Sequence, residues 1–458
     1  MTVPAAAGPE ASAARCRITG WFAAETHPIN LAIARVIVFW LLFQRMRQVD
    51  PGDYLRIPAE LWVPLPGWET FVRLGGFAPE PLALAQPLGA ALCLFALVGF
   101  RTRLAAGLAV LLSIYVLALP ESFGKLNHKA HHLIWFAALL AAGPSGDALS
   151  VDRWLARRRG EPALRPSSAY AQPLRFMWLS LGIAYFFAGL AKLASGPAWF
   201  AAPSLEYLLY EHWLAKGVPH ALRVDRYPVL MRLLAVGTVA FELSFVFLVL
   251  SRRTRWLACL GGLAFHTGTR LVMRIGFLEL MACYAVLVDW FGLWRHLASR
   301  LGARVGLPPG AAGSARRAGP AVVWIGTALL LANAACGALQ IDTWPVSAYP
   351  RFGRVRTDPE RTSLEVRVER SDGSSERIRP RIRQAGIGAI LKLEDRRAQR
   401  EKMAALVELV RSDGLALGPG DRLSFYAVTR SVLPEDRRRV LGEELLYEIE
   451  GPLPSGSP

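Results

Sequence analysis

The sequence predicts an all-α polytopic membrane protein with a small C-terminal α+β domain outside the membrane. Three observations point that way. Hydrophobic residues make up 53% of the 458-residue chain. Several apolar runs approach the ~20 residues that a helix needs to cross ~30 Å of hydrocarbon. Basic residues gather in short loops between those runs, as at Arg101–Arg103, Arg157–Arg159 and Arg252–Arg255. The net charge of +17 therefore follows the positive-inside rule, and no nucleic-acid partner is expected.

Taken in order, residues 1–22 read as a disordered cytoplasmic tail. They lack a long apolar core and are not a cleavable signal peptide. The bundle is expected over 23–342, with about nine transmembrane helices by hydropathy. The first span is Ile29–Phe43, carrying Arg35, and the second is Pro81–Phe100. The third is Leu104–Leu119, the fourth runs from the three-histidine connection PESFGKLNHKAHH to Ala142, and the fifth is Pro173–Leu193. Ser195–Pro228 is a long polar-aromatic segment, expected to lie partly in the interface. Val229–Leu250, Trp256–Met273 and Ile275–Leu293 follow, then a basic linker over Trp294–Gly319 and a ninth span at Pro320–Leu339. Basic loops after the even-numbered spans place the N-terminus in the cytoplasm and the C-terminal part outside.

Residues 343–458 change character. SLEVRVERSDG alternates with period two and ends in a turn signal, so it reads as a strand. EDRRAQREKMAALVELVRSDG reads as a helix with Leu406, Leu409 and Val410 on its apolar face. DRLSFYAVTRSVL and GEELLYEIEG read as further strands. The five cysteines, Cys16, Cys93, Cys259, Cys283 and Cys336, form no C-x-x-C pair, and four sit in apolar segments as small hydrophobes.

The candidate chemistry centres on YFFAGLAKLASGPAWFAAPSLEYLLYEHW. Lys192 arrives before its hydrophobic run has ended. It is either a lysine snorkelling to the membrane edge or an intramembrane functional group, because an ammonium in hydrocarbon costs a few kcal/mol. Desolvation would let such a lysine act as a neutral amine base near pH 7. His131, His132 and His128 lie on the same side of the membrane by loop parity, joined there by His266 and Arg270. No cysteine or carboxylate accompanies the histidines at ligand spacing, so no metal is expected. Glu242, in the middle of the sixth span, should be protonated or paired, with Arg35 or a residue of the seventh span. Tyr185 and Phe187 serve packing or form the wall of a site for a flat ring. Glu206, Tyr207, His212 and Trp213 of SLEYLLYEHW cap a cavity near Lys192 or anchor the interfacial segment.

Four blocks, NHKAHHLIW…SVDRW, YFFAGLAKL with SLEYLLYEHW, FELSFVFLVLSRRTR and FHTGTRLVMRIGF, make the chain over Asn30–Trp294 resemble the vitamin K-dependent γ-glutamyl carboxylases. It also resembles their bacterial relatives with the horizontally transferred transmembrane domain. The resemblance implies reduced vitamin K (a menaquinol-type naphthoquinol) as cofactor, with O2 and CO2 as co-substrates. Lys192 matches the family's base, either His131 or His132 matches a histidine implicated in the chemistry, and His266 hydrogen-bonds near the quinone. Arg270, Glu242, Tyr185 and Phe187 would complete the cofactor site, while Glu206, Tyr207, His212 and Trp213 would meet a glutamate-containing peptide or protein. The implied partners are the lipid bilayer and the quinone, and the implied location is a bacterial inner membrane, with the C-terminal domain periplasmic or extracellular. Ala191 stands where family carboxylases commonly carry another lysine, and the outer domain is short. Two other readings remain: a quinone-linked oxidoreductase that carboxylates nothing, and a non-catalytic scaffold whose outer domain binds a partner.

Overall fold

The computed structural model describes residues 19–124, 126–216, 222–301, 319–349, 353, 355–378, 390–436 and 439–453. The tail expected over 1–22 lies outside the described residues up to position 18, and residues 19–23 are helical. The longer helices are α1 (Pro28–Gln48), α2 (Pro79–Val98), α3 (Thr102–Ala118), α4 (His131–Ala142), α5 (Ser168–Ala194), α6 (Ala202–Lys216), α7 (Pro228–Leu250), α8 (Arg255–Met273), α9 (Trp290–Arg300), α10 (Pro320–Leu339) and α11 (Arg396–Ser412). Proline opens α1, α2, α7 and α10, where its missing N–H is no loss and its fixed φ suits the first turn. Ser167 caps α5 by accepting from the Ala169 amide.

Five helices, α1, α2, α5, α7 and α10, are long and apolar enough to cross a membrane. The expected third and fourth spans are shorter helices. α4 has 12 residues, about 18 Å at ~1.5 Å per residue, too short for a ~30 Å core. The expected eighth span is not one helix. It breaks into Leu278–Cys283, a tight turn at Tyr284–Leu287 and then α9, which is capped by Asp289 and occupies the start of the expected linker. Non-helical backbone at membrane depth is tolerated where it is buried in protein or lines a cavity. The broken eighth stretch meets that condition, since Ile275, Gly276, Phe277, Glu279 and Leu280 line a cavity.

Helix α5 organises the bundle by packing along α7 on one side and α10 on the other. Small residues bring the backbones together: a methyl on Gly182 would come within 3.0 Å of the Val246 backbone, and one on Gly189 within 3.0 Å of Glu242 Cβ. Close backbone approach of this kind drives association where lipid provides no hydrophobic contrast. Gly182→Val is therefore expected to push α7 off α5 and cost about 1–3 kcal/mol. A lowered thermal midpoint in lipid nanodiscs checks this, with Gly107→Val, which meets no atom, as the silent control.

Arg35 is fully buried, but it does not reach Glu242. Its guanidinium donates to the carbonyls of Ser145 (2.6 Å), Ala148 (3.2 Å) and Leu149, fastening α1 to the turn after α4. The expected pairing of Glu242 with Arg35 is thus corrected.

Beyond Trp344 the chain forms a four-stranded antiparallel sheet in the order β2-β1-β3-β4, from Ser375–Ile378, Glu360–Glu369, Arg422–Ser431 and Val440–Glu450. Strand β2 was not foreseen in the sequence. Helix α11 covers one face, where Met403, Leu406, Leu409 and Val410 meet Val366, Val368, Leu423 and Phe425. Ile57, Leu61 and Phe123 of the bundle enter the same core, so the sheet is seated on the helices. Burial pushes the Glu365 carboxyl up, but Arg430, Arg377 and Arg367 outweigh it and hold it below the usual carboxylate range. Hydrogen bonds from Arg370 and from the Ser371 and Gly418 amides hold Asp421 down to about 2. A carboxyl whose folded pKa is depressed stabilises above its unfolded pKa and loses that contribution as pH falls. The sheet should accordingly lose protection between roughly pH 4 and about 2, read as faster amide exchange in β1 and β3. Asp421→Asn should weaken the sheet at neutral pH and flatten the acid response; protection unchanged across that window would contradict the assignment.

Candidate active site

A cavity of about 200 Å³ lies between α4, α5, α7 and α8, closed on one side by the broken stretch around Ile275–Leu280. One stripe of α5 forms its floor: Leu181, Tyr185, Ala188 and Lys192 recur at helical spacing and all line it. Thr238 and Glu242 come from α7, and His266, Thr269 and Met273 from α8. His132 and Trp135 come from α4, with Asn127, His128 and Lys129 from the irregular connection before it. The walls are mostly apolar, with a few convergent polar groups, which is the usual make-up of a site for a hydrophobic ring.

Lys192 is 2% exposed and Glu242 5%, so the lysine does not snorkel. Its ammonium donates to Glu242 Oε1 at 2.9 Å and Oε2 at 2.8 Å, and to the Ala188 carbonyl at 3.2 Å. Glu242 is thus paired across to α5, and not with α8 as the sequence reading allowed. A buried pair of this kind gains little net stability over apolar side chains, because desolvation of both charges offsets their attraction. Its presence on a cavity wall is therefore a functional observation more than a stabilising one.

Behind the pair sits a hydroxyl–imidazole cluster. The Tyr185 hydroxyl is hydrogen-bonded to His266 Nε2 at 2.6 Å and to the Tyr284 hydroxyl. Tyr185 stacks on Phe245 with ring centroids 4.4 Å apart, and His266 packs on Phe277 at 4.6 Å. Across the cavity, His132 is 3% exposed, and neither ring nitrogen has a hydrogen-bond partner among the described residues. His266 Nδ1 is likewise unpartnered among them. Buried polar atoms are nearly always satisfied, so unpartnered imidazole nitrogens on residues lining a cavity call for an ordered water or another polar group as their partner.

The two adjacent histidines separate cleanly. His131 turns away from the cavity, donates Nε2–H to the Thr343 carbonyl at 3.1 Å and packs edge-on against Trp344 at 4.8 Å. Trp135 donates to the Pro345 carbonyl and Trp344 to the Ile114 carbonyl, stitching the 343–349 segment onto the bundle. Tyr349 in turn lines the cavity mouth and stacks on His128. Among the described residues, no group of three or more His, Cys, Asp or Glu side chains is placed to hold a metal ion.

The structure therefore brings Lys192, Glu242, Tyr185, His266 and His132 to one cavity. It leaves out several other candidates. Phe187 points at Gly337 of α10, and Arg270 is exposed. In α6, Leu205 and Leu208 line the cavity, while Glu206, Tyr207, His212 and Trp213 do not. Trp213 is buried, donating to the Val272 carbonyl, and His212 Nδ1 is bonded to the Leu208 carbonyl in its own helix. Reasoning from sequence missed Tyr284, Trp199, Phe277 and Glu279. Glu279 could have been found: it is a carboxylate inside an apolar run, and it pairs with Arg45 of α1.

A mostly helical bundle with membrane-length helices, enclosing an apolar cavity with a buried ion pair on its wall, defines the class: an integral-membrane protein with an internal apolar cavity. Residues 77–291 match the family model of the HTTM domain, so the chain carries the domain of vitamin K-dependent carboxylase-like proteins. The match holds every bundle residue of the cavity except Tyr349. No curated protein and no solved structure matches the chain.

Proposed function

We propose that the cavity binds a reduced naphthoquinone and that the protein is a vitamin K hydroquinone-dependent γ-glutamyl carboxylase-like enzyme. The observation that carries this reading is the Lys192–Glu242 pair on the wall of an apolar cavity, facing an unpartnered His132. A 1,4-quinol presents two hydroxyls at opposite ends of a flat ring. One hydroxyl would meet the ion pair and the other His132, with the ring against the hydrocarbon walls. Bound there, the quinol would supply, with oxygen and carbon dioxide as co-substrates, the strong base needed to remove a glutamyl γ-proton.

The chain's own part is narrower. The pair takes up a proton, Tyr185 and His266 fix the hydrogen bonds at the back of the site, and the walls exclude water, which shields a carbanion from protonation. The mouth formed by Asn127, His128, Lys129 and Tyr349 would admit the glutamyl side chain of a peptide or protein. In this reading, α3, α8, the broken eighth segment and α4 extended by the irregular connection before it join the five long helices to complete a bundle of about nine crossings. The basic loops then lie in the cytoplasm of a bacterial inner membrane and the sheet domain outside it.

The test supplies reduced menaquinone, oxygen, labelled carbon dioxide and a glutamate-rich peptide to the protein in lipid nanodiscs. Label in the peptide together with quinone epoxide supports carboxylation. Epoxide without label would replace it with quinol oxidation alone, and neither product would leave a scaffold.

A further inference from the structure

We infer that the chain holds an anionic phospholipid at a fixed site, a groove on its membrane face where Arg232 meets the headgroup phosphate and Leu193, Pro197 and Phe200 meet an acyl chain. The groove, of about 500 Å³, is lined by Leu193, Gly196, Pro197, Phe200, Ala201 and Arg232. It lies between the end of α5 and the start of α7. It is separate from the candidate active site and does not depend on that cavity taking a quinol.

Arg232 carries the assignment. It stands four residues after Pro228, which opens α7, and so about 6 Å along the helix at ~1.5 Å per residue. In a helix long enough to cross a membrane, that depth is close to the headgroups. Its neighbours Val229, Leu233 and Val236 are exposed apolar side chains, which a bilayer covers with lipid. Arg232 is exposed among them and has no hydrogen bond or ion pair to another described residue. An arginine facing lipid is costly to leave unpaired, and its planar fork of donors matches the oxygens of a phosphate.

The lining also sets the class of lipid. None of the six residues is acidic, so the ammonium of a zwitterionic headgroup finds no carboxylate there. A lipid of net negative charge meets only a cation. The apolar remainder of the groove suits a hydrocarbon chain, whereas a free phosphate gains nothing from Leu193 and Phe200.

The groove and the cavity share a wall. Leu193 follows Lys192 and Phe200 follows Trp199; the first of each lines the groove and the second the cavity. Phe200 packs against the cluster of Trp199, Ala235 and Val239, and the two aromatic rings meet edge-on at 5.3 Å. A lipid seated in the groove therefore braces the short Pro197–Phe200 helix, which holds Trp199 on the cavity wall.

Native mass spectrometry of the purified protein, titrated with phosphatidylglycerol or phosphatidylcholine of the same chains, reads the site directly. Arg232→Gln removes the charge at an exposed position, where the fold tolerates substitution. Arg253→Gln, at an exposed arginine beyond the opposite end of α7, controls for general attraction of anionic lipid. Wild type and Arg253→Gln should each retain one phosphatidylglycerol, bound about 10-fold or more tightly than phosphatidylcholine. Arg232→Gln should bind it about 10-fold more weakly, the scale of one charge-assisted contact to phosphate. In nanodiscs, the thermal midpoint of the wild type should be higher in phosphatidylglycerol than in phosphatidylcholine, and Arg232→Gln should lose that difference.

Equal retention by wild type and Arg232→Gln, or no preference for phosphatidylglycerol, would overturn the site. Displacement of the lipid by inorganic phosphate would make the groove a plain anion site, and displacement by menaquinone would give it to the quinone's tail. Either outcome overturns the phospholipid assignment.

Discussion

Replacing Lys192 by methionine leaves Glu242 as a buried charge without its partner and lowers stability by about 3–5 kcal/mol. Replacing Glu242 by leucine does the same to Lys192. The double variant Lys192→Met/Glu242→Leu should recover wild-type stability or exceed it by about 1–4 kcal/mol, because apolar side chains in that space escape the desolvation of two charges. All three variants should be inactive. Thermal midpoints of the four proteins in nanodiscs measure the cycle. A double variant as unstable as either single one would mean that Lys192 and Glu242 are not each other's partner, and the account of the site would fail with it.

The second large effect separates two neighbours in sequence. His132→Leu removes two ring nitrogens with no partner among the described residues, so it should leave stability unchanged or slightly higher. If the imidazole meets the quinol, turnover should fall by about 100-fold. His131→Leu removes the bond to the Thr343 carbonyl and should cost about 1–3 kcal/mol by stranding that acceptor, while turnover per folded molecule stays within a few-fold. The opposite pattern, with His131 controlling turnover and His132 stability, would reverse the assignment.

Much of the bundle was legible because hydropathy and length alone determine where a helix can cross a bilayer. The first, second, fifth, sixth and ninth spans came out within a few residues of α1, α2, α5, α7 and α10. Loop parity also gives depth, and it placed the histidine connection near Lys192, as the cavity does. What a single span does not carry is the direction a residue faces relative to another helix. Glu242 was matched with Arg35 or α8 for that reason, although its partner is one membrane span back, on α5. Adjacent residues on a helix differ by about 100°, so His131 and His132 read alike in sequence and face apart in the structure. The eighth span misled because its apolar run has helical composition. Its breaks come from packing around the cavity, where Tyr284 reaches Tyr185 and Glu279 reaches Arg45. In the outer domain, period-two alternation exposed β1, and the stretches of β3 and β4 also read as strands, but β2 has only four residues, too few to show a period.

The most direct measurement is epoxide formation from reduced menaquinone by the purified protein in lipid nanodiscs, with a glutamate-rich peptide and oxygen present. Wild type is compared with the stable Lys192→Met/Glu242→Leu protein. A cavity that works through its buried pair produces epoxide in the first and none in the second. Equal epoxide from both, or none from the wild type with its fold intact, would contradict the claim that this pair does the chemistry.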